Sequence, residues 1–251
     1  MGNDATRTPD EPLLIERRDD RVVGTLNRPD VRNAIDQDLV DRLHTLCAEL
    51  EASPRILILA GAGGVFASGA DIRQMLERRA ADARAGINTR VFQRIRALPM
   101  PVIAAVDGWA LGGGAELAFA ADLRIGTPAA KIGNPETGLG IIAAAGATWR
   151  LPELVGEARA AELLYTGRVL TADEALDWGL LSSVHPADQL MDAAHALADR
   201  IAANDPLAVR HTKTALHTSN HPAIDLELQA ELFESPEKRR RMTAFLERHK
   251  R

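Results

Sequence analysis

The sequence has one cysteine and no long apolar run, and each absence excludes a class of protein. Cys47 alone cannot form an intrachain disulfide or a cysteine-rich metal site, so we expect it to pack in a core. No stretch approaches the roughly 18 uninterrupted apolar residues of a membrane-spanning helix. Residues 1–12 are polar and acidic, without the apolar segment of a signal peptide. These features together predict a cytoplasmic protein that binds no membrane and whose first residues are disordered.

The chain also lacks an excess of positive charge. Its formal net charge of −5 argues against nucleic acid as a partner, because nucleic-acid binding relies on a broad basic surface. The basic run 238–241 is interpreted as the exposed face of a helix. The seven histidines show no metal-ligand spacing, and Ser68 lacks the Gly-x-Ser-x-Gly setting of a hydrolase nucleophile. We therefore expect neither a metal nor serine chemistry.

Glycine, by contrast, is present where a predicted strand meets a predicted helix. Three glycines, 112–114, follow the apolar run 101–106 and precede an alanine-rich segment. Glycines at such a turn let a helix N-terminus bring bare N–H groups close to a ligand. Glu116 lies within one turn of those donors, so an amide and a titratable group can face the same substrate. The alternative interpretation is close packing of the helix on a sheet.

A second glycine-rich loop, 61–72, follows another predicted strand. Asp71 has the position of an N-cap for a helix that begins at Ile72, which leaves the N–H of Ala70 at the turn. Two such turns offer one amide each, and paired amides aimed at one oxygen form an oxyanion hole suited to a carbonyl that becomes an enolate. Neither loop is a P-loop or a dinucleotide fingerprint, because Gly-Lys-Ser/Thr and spaced glycines are both missing.

The rest of the chain alternates predicted strands and helices before it becomes purely helical. The apolar patterns predict a hairpin at 13–17 and 22–26, strands at 56–59, 102–106 and 123–125, and helices at 39–50, 71–79, 89–97 and 113–120. A capping box at 171–174 begins a further helix that ends at Gly179. Four more helices are predicted at 190–203, 206–217, 223–233 and 236–250. This α/β pattern by itself fits either stacked ββα units or a doubly wound sheet.

Five segments occur in a distinctive order: Asn27-Arg28-Pro29 with Asn33-Ala34, Phe66 to Ile72, Pro101 to Gly108, Gly112 to Leu117, and Pro135-Glu136 before Gly138-Leu139-Gly140. In order and spacing they resemble the crotonase (enoyl-CoA hydratase/isomerase) superfamily over nearly the whole chain. The resemblance implies an α/β fold with a crotonase-like ββα superhelical core over 13–187, carrying the active site. It also implies a C-terminal all-helical trimerisation subdomain, 188–251, and hence a homotrimer or a hexamer built as a dimer of trimers.

The resemblance also implies a reaction centre. The matching positions are the acid/base pair Glu116 and Glu136 and the oxyanion-hole N–H groups of Ala70 and Gly113. Hydration of a 2-enoyl-CoA needs one group to take a proton from water and another to handle the proton at the α-carbon, while the thioester oxygen gains charge. No separate cofactor is expected, because coenzyme A is part of the acyl-CoA thioester substrate. Each glutamate taken alone has the plainer interpretation of a surface or salt-bridged residue.

Substrate and coenzyme A contacts are expected on the loops that precede the helices, at Arg32, Ser68, Ala70, Asp71, Ile72, Arg73 and Gly113. Guanidinium groups suit phosphate, so Arg32 and Arg73 are candidates for the nucleotide end of coenzyme A. Both arginines are equally well interpreted as ordinary surface residues.

One segment departs from the family pattern. Residues 143–147 read Ala-Ala-Ala-Gly-Ala, where hydratases usually have Pro-Gly-Ala-Gly-Gly. The methyl group of Ala144 takes room beside an amide that meets the water and the thioester, and Ala143 lacks the fixed φ of proline. The departure keeps two alternatives to the hydratase open. One is a Δ3,Δ2-enoyl-CoA isomerase, which needs only a base that shuttles one proton, and the other is a non-catalytic acyl-CoA-binding protein.

Overall fold

The computed structural model describes residues 11–248. Two compact units divide the chain, Met1–Ala198 and Asp199–Arg251. The predicted boundary after residue 187 stays a prediction, and the helix that begins at Leu190 buries Ala194 and Ala198. Residues 1–10 of the predicted disordered start 1–12 lie outside the described residues. So do residues 249 and 250, the last two of the predicted helix 236–250.

Nine strands form two sheets within residues 11–248. The strands are β1 (Leu13–Arg17), β2 (Arg21–Leu26), β3 (Ile56–Gly61), β4 (Val102–Val106), β5 (Trp109–Leu111), β6 (Leu123–Gly126), β7 (Lys131–Gly133), β8 (Val169–Thr171) and β9 (Ser183–Val184). The larger sheet has the order β1-β2-β3-β4-β6-β9, and the smaller has the order β5-β7-β8. The predicted hairpin is confirmed, since β1 and β2 pair antiparallel.

The helices of the described part are α1 (Gln37–Ala52), α2 (Ile72–Glu77), α3 (Ala80–Ala85), α4 (Ile87–Arg96), α5 (Gly113–Ala120), α6 (Ala147–Val155), α7 (Glu157–Thr166), α8 (Ala172–Asp177), α9 (Leu190–Ala202), α10 (Pro206–Leu216), α11 (Ala223–Glu234) and α12 (Pro236–Arg248). The predicted helix at 71–79 is shorter in the structure: the backbone becomes extended at Arg78, so α2 ends at Glu77, and α3 begins only at Ala80. The predicted capping box is confirmed, with Thr171 and Glu174 exchanging hydrogen bonds at the start of α8. No helix among residues 11–248 has the length and apolar character needed to cross a membrane.

The core is built by the parallel strands of the larger sheet and the helices that cover them. β3 and β4 are buried along their apolar runs, with Ile58 of β3 between Val23 of β2 and Ile103 of β4. α1 buries residues at helical spacing, namely Leu39, Val40, Leu43, Leu46, Cys47 and Leu50. The prediction that Cys47 packs in the core is confirmed, and burial raises the pKa of its thiol to about 12.

Two consecutive pairs of strands each place one strand in the larger sheet and the next in the smaller sheet. β4 lies in the larger sheet and β5 in the smaller, before α5 begins, and β6 and β7 repeat this division. A single doubly wound sheet is therefore excluded, and the stacked ββα units expected from the resemblance are confirmed. The smaller sheet brings the start of α5 beside the segment after β7, because β5 and β7 pair in parallel with Leu111 opposite Gly133.

Candidate active site

The loop that precedes α2 is held by backbone pairing on both sides. Ala70 forms an isolated parallel bridge with Ile35, and Ala67 forms another with Ala110 beside it. A loop tied to two neighbouring segments keeps a fixed backbone conformation. The N–H of Ala70 is therefore carried by a rigid turn, which an oxyanion donor requires.

Asn33 also holds this loop, through hydrogen bonds from its side chain. Its side chain is fully buried and donates from Nδ2 to the carbonyl oxygens of Ala62, at 2.9 Å, and Val65, at 2.6 Å. Its Oδ1 accepts the N–H of Arg28 at 2.8 Å. The backbone of Asn33 has a φ of 54°, a conformation that asparagine tolerates better than most residues. Two hydrogen bonds from this side chain thus join the segment 28–33 to the glycine-rich loop, and the third lies within the segment itself.

The two predicted amides meet at one place. The carboxylate of Asp71 accepts the N–H groups of Arg73, at 2.9 Å, and Gln74, at 3.3 Å, which confirms Asp71 as the N-cap of α2. Gly113 is the first residue of α5, and a Cβ added to it would stand 3.5 Å from the backbone nitrogen of Ala70. The start of α5 therefore lies beside the turn that carries the backbone nitrogen of Ala70.

The flanking glycines serve close approach and conformation. A Cβ on Gly114 would stand 2.2 Å from the carbonyl oxygen of Ala67, so α5 packs directly on the glycine-rich loop. Gly112 has a φ of 51° and a ψ of −124°, and a Cβ there would stand 3.1 Å from Oε1 of Glu136. The close-packing interpretation of the glycine run is thus confirmed, whereas a contact between the N-terminus of α5 and a ligand stays a prediction.

Glu116 is buried behind this N-terminus, with 4% of its surface exposed. Its Oε1 accepts the N–H groups of Ala145, at 2.8 Å, and Ala147, at 3.1 Å. Burial raises the pKa of Glu116 to about 7, and the charge of Glu136 acts in the same direction while the backbone donors oppose it. The segment that departs from the family pattern therefore still supplies amides, and it supplies them to this carboxylate. Ala144 lines the adjoining cavity, as expected.

Glu136 lies on a short 3-10 helix, Pro135–Leu139, that follows β7. Its Oε1 accepts a hydrogen bond from Nδ2 of Asn134 at 3.3 Å, whereas its buried Oε2 has no partner among the described residues. Burial raises the pKa of this carboxyl as well. Asn134 was missed by the sequence analysis, and its position directly before Pro135-Glu136 is the signal that could have found it.

A cavity of about 600 Å³ joins these groups. It is lined by four of the predicted binding residues, Ser68, Ala70, Ile72 and Gly113, by both glutamates, and by apolar side chains that include Met75, Ile87, Leu111, Leu139, Ile141 and Ile142. An apolar wall with a few converging polar groups is typical of a site for a small acyl compound. No cluster of three or more His, Cys, Asp or Glu in residues 11–248 is arranged to hold a metal ion.

Three of the predicted binding residues lie outside the cavity lining. Asp71 acts as the N-cap described above. Arg73 is exposed on α2, and Arg32 is exposed with its carbonyl accepting the N–H of Ser68 at 3.0 Å. Their predicted contacts with coenzyme A stay predictions.

Comparison with known proteins agrees with this geometry. The enoyl-CoA hydratase/isomerase family model matches residues 21–251. The chain is 39% identical over 249 residues to a short-chain-enoyl-CoA hydratase of Clostridium acetobutylicum, covering 95% of each chain. It is 38% identical over 251 residues to a crotonyl-CoA hydratase of Syntrophomonas wolfei, covering 96% of each.

A solved structure gives the same result for the fold. The crystal structure of an enoyl-CoA hydratase from Bacillus anthracis matches with a TM-score of 0.89 and 33% identity, over 94% of this chain and 96% of that one. The chain belongs to the enoyl-CoA hydratase/isomerase family, the crotonase superfamily. The membership and the crotonase-like fold predicted from the sequence are both confirmed.

Proposed function

We propose that the protein is an enoyl-CoA hydratase, which adds water across the 2,3 double bond of a 2-enoyl-CoA thioester. The observation that carries the proposal is the meeting of two buried glutamates and two helix-start amides on one apolar cavity. The hydratase function and the acyl-CoA substrate are supported by the relatives named above, which are a short-chain-enoyl-CoA hydratase and a crotonyl-CoA hydratase.

The thioester oxygen accepts hydrogen bonds from the N–H groups of Ala70 and Gly113. Attack at C3 moves electrons through C2 to this oxygen, which becomes an enolate oxygen. Preorganised donors stabilise that charge, and each is typically worth about 3 kcal/mol of barrier. The positive end of α5, which begins at Gly113, adds to the stabilisation.

The two glutamates manage the protons. We assign Glu116 as the base, because two backbone N–H groups on its Oε1 favour the carboxylate. It takes a proton from water as the water oxygen bonds to C3. Glu136 then donates its proton to C2, and its unpartnered Oε2 is suited to hold that proton. Burial raises the pKa of both carboxyls, to about 7 for Glu116, and the charge of Glu136 contributes to the shift of Glu116, so the two titrations are coupled.

Further parts of the proposal concern binding and assembly. Arg32 and Arg73 are exposed guanidinium groups that suit the phosphates of coenzyme A, and the chemistry requires no separate cofactor. The helices α10–α12 expose large apolar side chains, including Leu226, Phe233 and Met242. Their exposure supports a homotrimer or a hexamer in which these side chains are buried between subunits. Analytical ultracentrifugation distinguishes these assemblies from a monomer. A cytoplasmic location stays a prediction.

The direct test of the proposal is hydration of crotonyl-CoA, followed by the loss of absorbance of the conjugated thioester. Glu116→Gln and Glu136→Gln each remove a proton-transfer group and should lower kcat by about 10²–10⁴-fold while butyryl-CoA binding is retained. Glu157→Gln, at an exposed glutamate at the start of α7, is the matched control and should leave kcat unchanged.

A second candidate is the Δ3,Δ2-enoyl-CoA isomerase. The observation that favours it is the alanine at position 144 on the cavity wall, which reduces the room for a water molecule. Unchanged crotonyl-CoA together with conversion of a 3-enoyl-CoA would establish the isomerase in place of the hydratase. Binding of acyl-CoA without turnover on either substrate would establish a non-catalytic binding protein.

A further inference from the structure

The first turn of α4 brings a carboxamide to the oxyanion turn. The Nδ2 of Asn88 lies 3.4 Å from the position that a Cβ on Gly113 would occupy, and the backbone nitrogen of Ala70 lies 3.5 Å from the same position. Asn88 also lines the cavity together with both of these residues. Nδ2 of Asn88 and the backbone nitrogen of Ala70 therefore lie at similar distances from one open position beside Gly113.

The carboxamide of Asn88 is not used within the protein. Its Oδ1 is buried without a hydrogen-bond partner, and the side chain makes no hydrogen bond to another residue in 11–248. A buried polar atom without a partner typically destabilises a protein by about 1–3 kcal/mol, so its retention calls for an explanation outside folding stability. The orphan Oδ1 marks a carboxamide that no described protein group holds, so its Nδ2, which lies beside the backbone nitrogen of Ala70 and the start of α5, is available to donate to a ligand in the cavity.

The neighbouring residue fixes the orientation of this turn. The hydroxyl of Thr89 donates to the carbonyl oxygen of Ala144 at 3.2 Å. Ala144 directly precedes Ala145, whose N–H binds the carboxylate of Glu116. The start of α4 is thereby joined to the segment that holds the catalytic base, so Asn88 has a defined place relative to the reaction centre.

We propose that Asn88 is a further catalytic residue, whose Nδ2–H donates a third hydrogen bond to the thioester oxygen as that oxygen becomes an enolate. The proposal rests on the hydratase function and deepens it. A side-chain amide is a strong donor for such a site, because its hydrogen bond gains strength as negative charge develops on the oxygen. The same site thereby acquires a donor that substitution can remove without changing the backbone.

Kinetics of three variants test the proposal. Asn88→Ala removes the donor and should lower kcat/KM on crotonyl-CoA by about 10²-fold, within the range for one oxyanion donor. Asn88→Asp keeps the shape but places a carboxylate against the developing charge, so its loss should be larger. Gln93→Ala removes an exposed carboxamide on the same helix and should leave kcat/KM unchanged.

A binding measurement separates a donor from a packing residue. Acetoacetyl-CoA forms an enolate that demands the donors, whereas butyryl-CoA of the same chain length forms none. In Asn88→Ala the preference for acetoacetyl-CoA over butyryl-CoA should fall by about tenfold or more, together with the ultraviolet band of the bound enolate. Equal losses of affinity for both ligands, or wild-type kcat/KM in Asn88→Ala, would overturn the proposal. A wild-type protein that hydrates no enoyl-CoA refutes the hydratase function alone, because the binding ratio still tests Asn88.

Discussion

The carboxylate of Glu136 lies against the backbone of Gly112, with Oε1 3.1 Å from the position that a Cβ on this glycine would occupy. Asn134 joins the two, because its Nδ2 donates to Oε1 of Glu136 and to the carbonyl oxygen of Gly112, each at 3.3 Å. The turn that presents the oxyanion amide and the position of the second glutamate are therefore set together. A shift of either group would disturb the hydrogen bonds that Asn134 makes to both.

Gly112→Ala should separate them. The backbone at φ 51° and ψ −124° is accessible to glycine and strained for alanine, and strain of this kind typically destabilises by about 1–3 kcal/mol. The new methyl group also forces Glu136 to give way by a few tenths of an ångström. A misplacement near 1 Å can lower a rate by about 10²-fold, so we expect a lower urea midpoint and a kcat on crotonyl-CoA reduced by less than about 10²-fold.

Gly138→Ala is the matched control for this prediction. Nothing lies within 4 Å of a Cβ at Gly138, which belongs to the same short helix as Glu136. Its kcat and its urea midpoint should equal those of the wild-type protein. A Gly112→Ala protein with wild-type kcat would show that the contact with Glu136 is irrelevant to turnover.

Gly113→Pro deletes the second oxyanion amide. Gly113 is the first residue of α5, a position where proline is tolerated because its N–H has no partner within the helix. The fold should persist by circular dichroism while kcat/KM falls by about 10²–10³-fold. Because Gly113→Pro and Glu116→Gln affect one transition state, the double variant should lose less than the product of the single losses. Full activity in a folded Gly113→Pro protein contradicts the oxyanion assignment.

The stability of the protein should depend on the charge of Glu116. Burial raises its pKa from 4.5 to about 7 in the folded protein, so the folded state binds a proton that the unfolded state has already lost. Stability is therefore highest below about pH 4.5, falls as the pH rises to about 7, and changes no further above that from this group. Over this range the loss amounts to about 3 kcal/mol.

Glu116→Gln has no charge at any pH and should lack this slope. Urea unfolding of both proteins at several pH values between 4 and 8 measures it. The difference in unfolding free energy between variant and wild type should shift in favour of the variant as the pH rises. Parallel curves would mean that the carboxylate of Glu116 is as well stabilised in the folded protein as in water.

Asn33→Ala should weaken the support of the glycine-rich loop. The substitution removes three hydrogen bonds and leaves the partly buried carbonyl groups of Ala62 and Val65 without this donor. We expect a loss of about 2–3 kcal/mol in unfolding free energy by urea titration. Asn204→Ala, at an exposed asparagine with one local hydrogen bond, should change it by less than about 0.5 kcal/mol. Equal effects of the two substitutions would exclude a supporting role for Asn33.

The parts of the fold that depend on local sequence were predictable. The hairpin, the glycine-led start of α5, the N-cap Asp71 and the capping box at Thr171 follow from short-range patterns, and the structure contains all of them. The strands β5, β7 and β8 were missed, because three residues are too few for an alternating pattern to be recognised. Their pairing in the second sheet depends on contacts far apart in the chain.

The site divides in the same way. Glu116 and Ala70 were accessible from the sequence because each lies at a strand-to-helix turn. The amides that hold Glu116 come from Ala145 and Ala147, 29 and 31 residues away, and no local pattern links them. Asn88 was missed for the same reason, since its nearness to Gly113 arises only when α4 packs beside α5. Tertiary packing, not spacing, decides these relationships.

The residues of the reaction centre and the cavity-lining helices α2 and α3 differ in how well they tolerate substitution. Gly113 and both carboxylates are buried, whereas α2 and α3 bury none of their residues and still contribute Ile72, Met75 and Ala83 to the cavity. Substitutions on such exposed helices usually change stability by less than about 0.5 kcal/mol. Chain-length preference can therefore drift while the chemistry is conserved, and a mutant library confined to residues 72–87 would explore new acyl substrates without dismantling the catalyst.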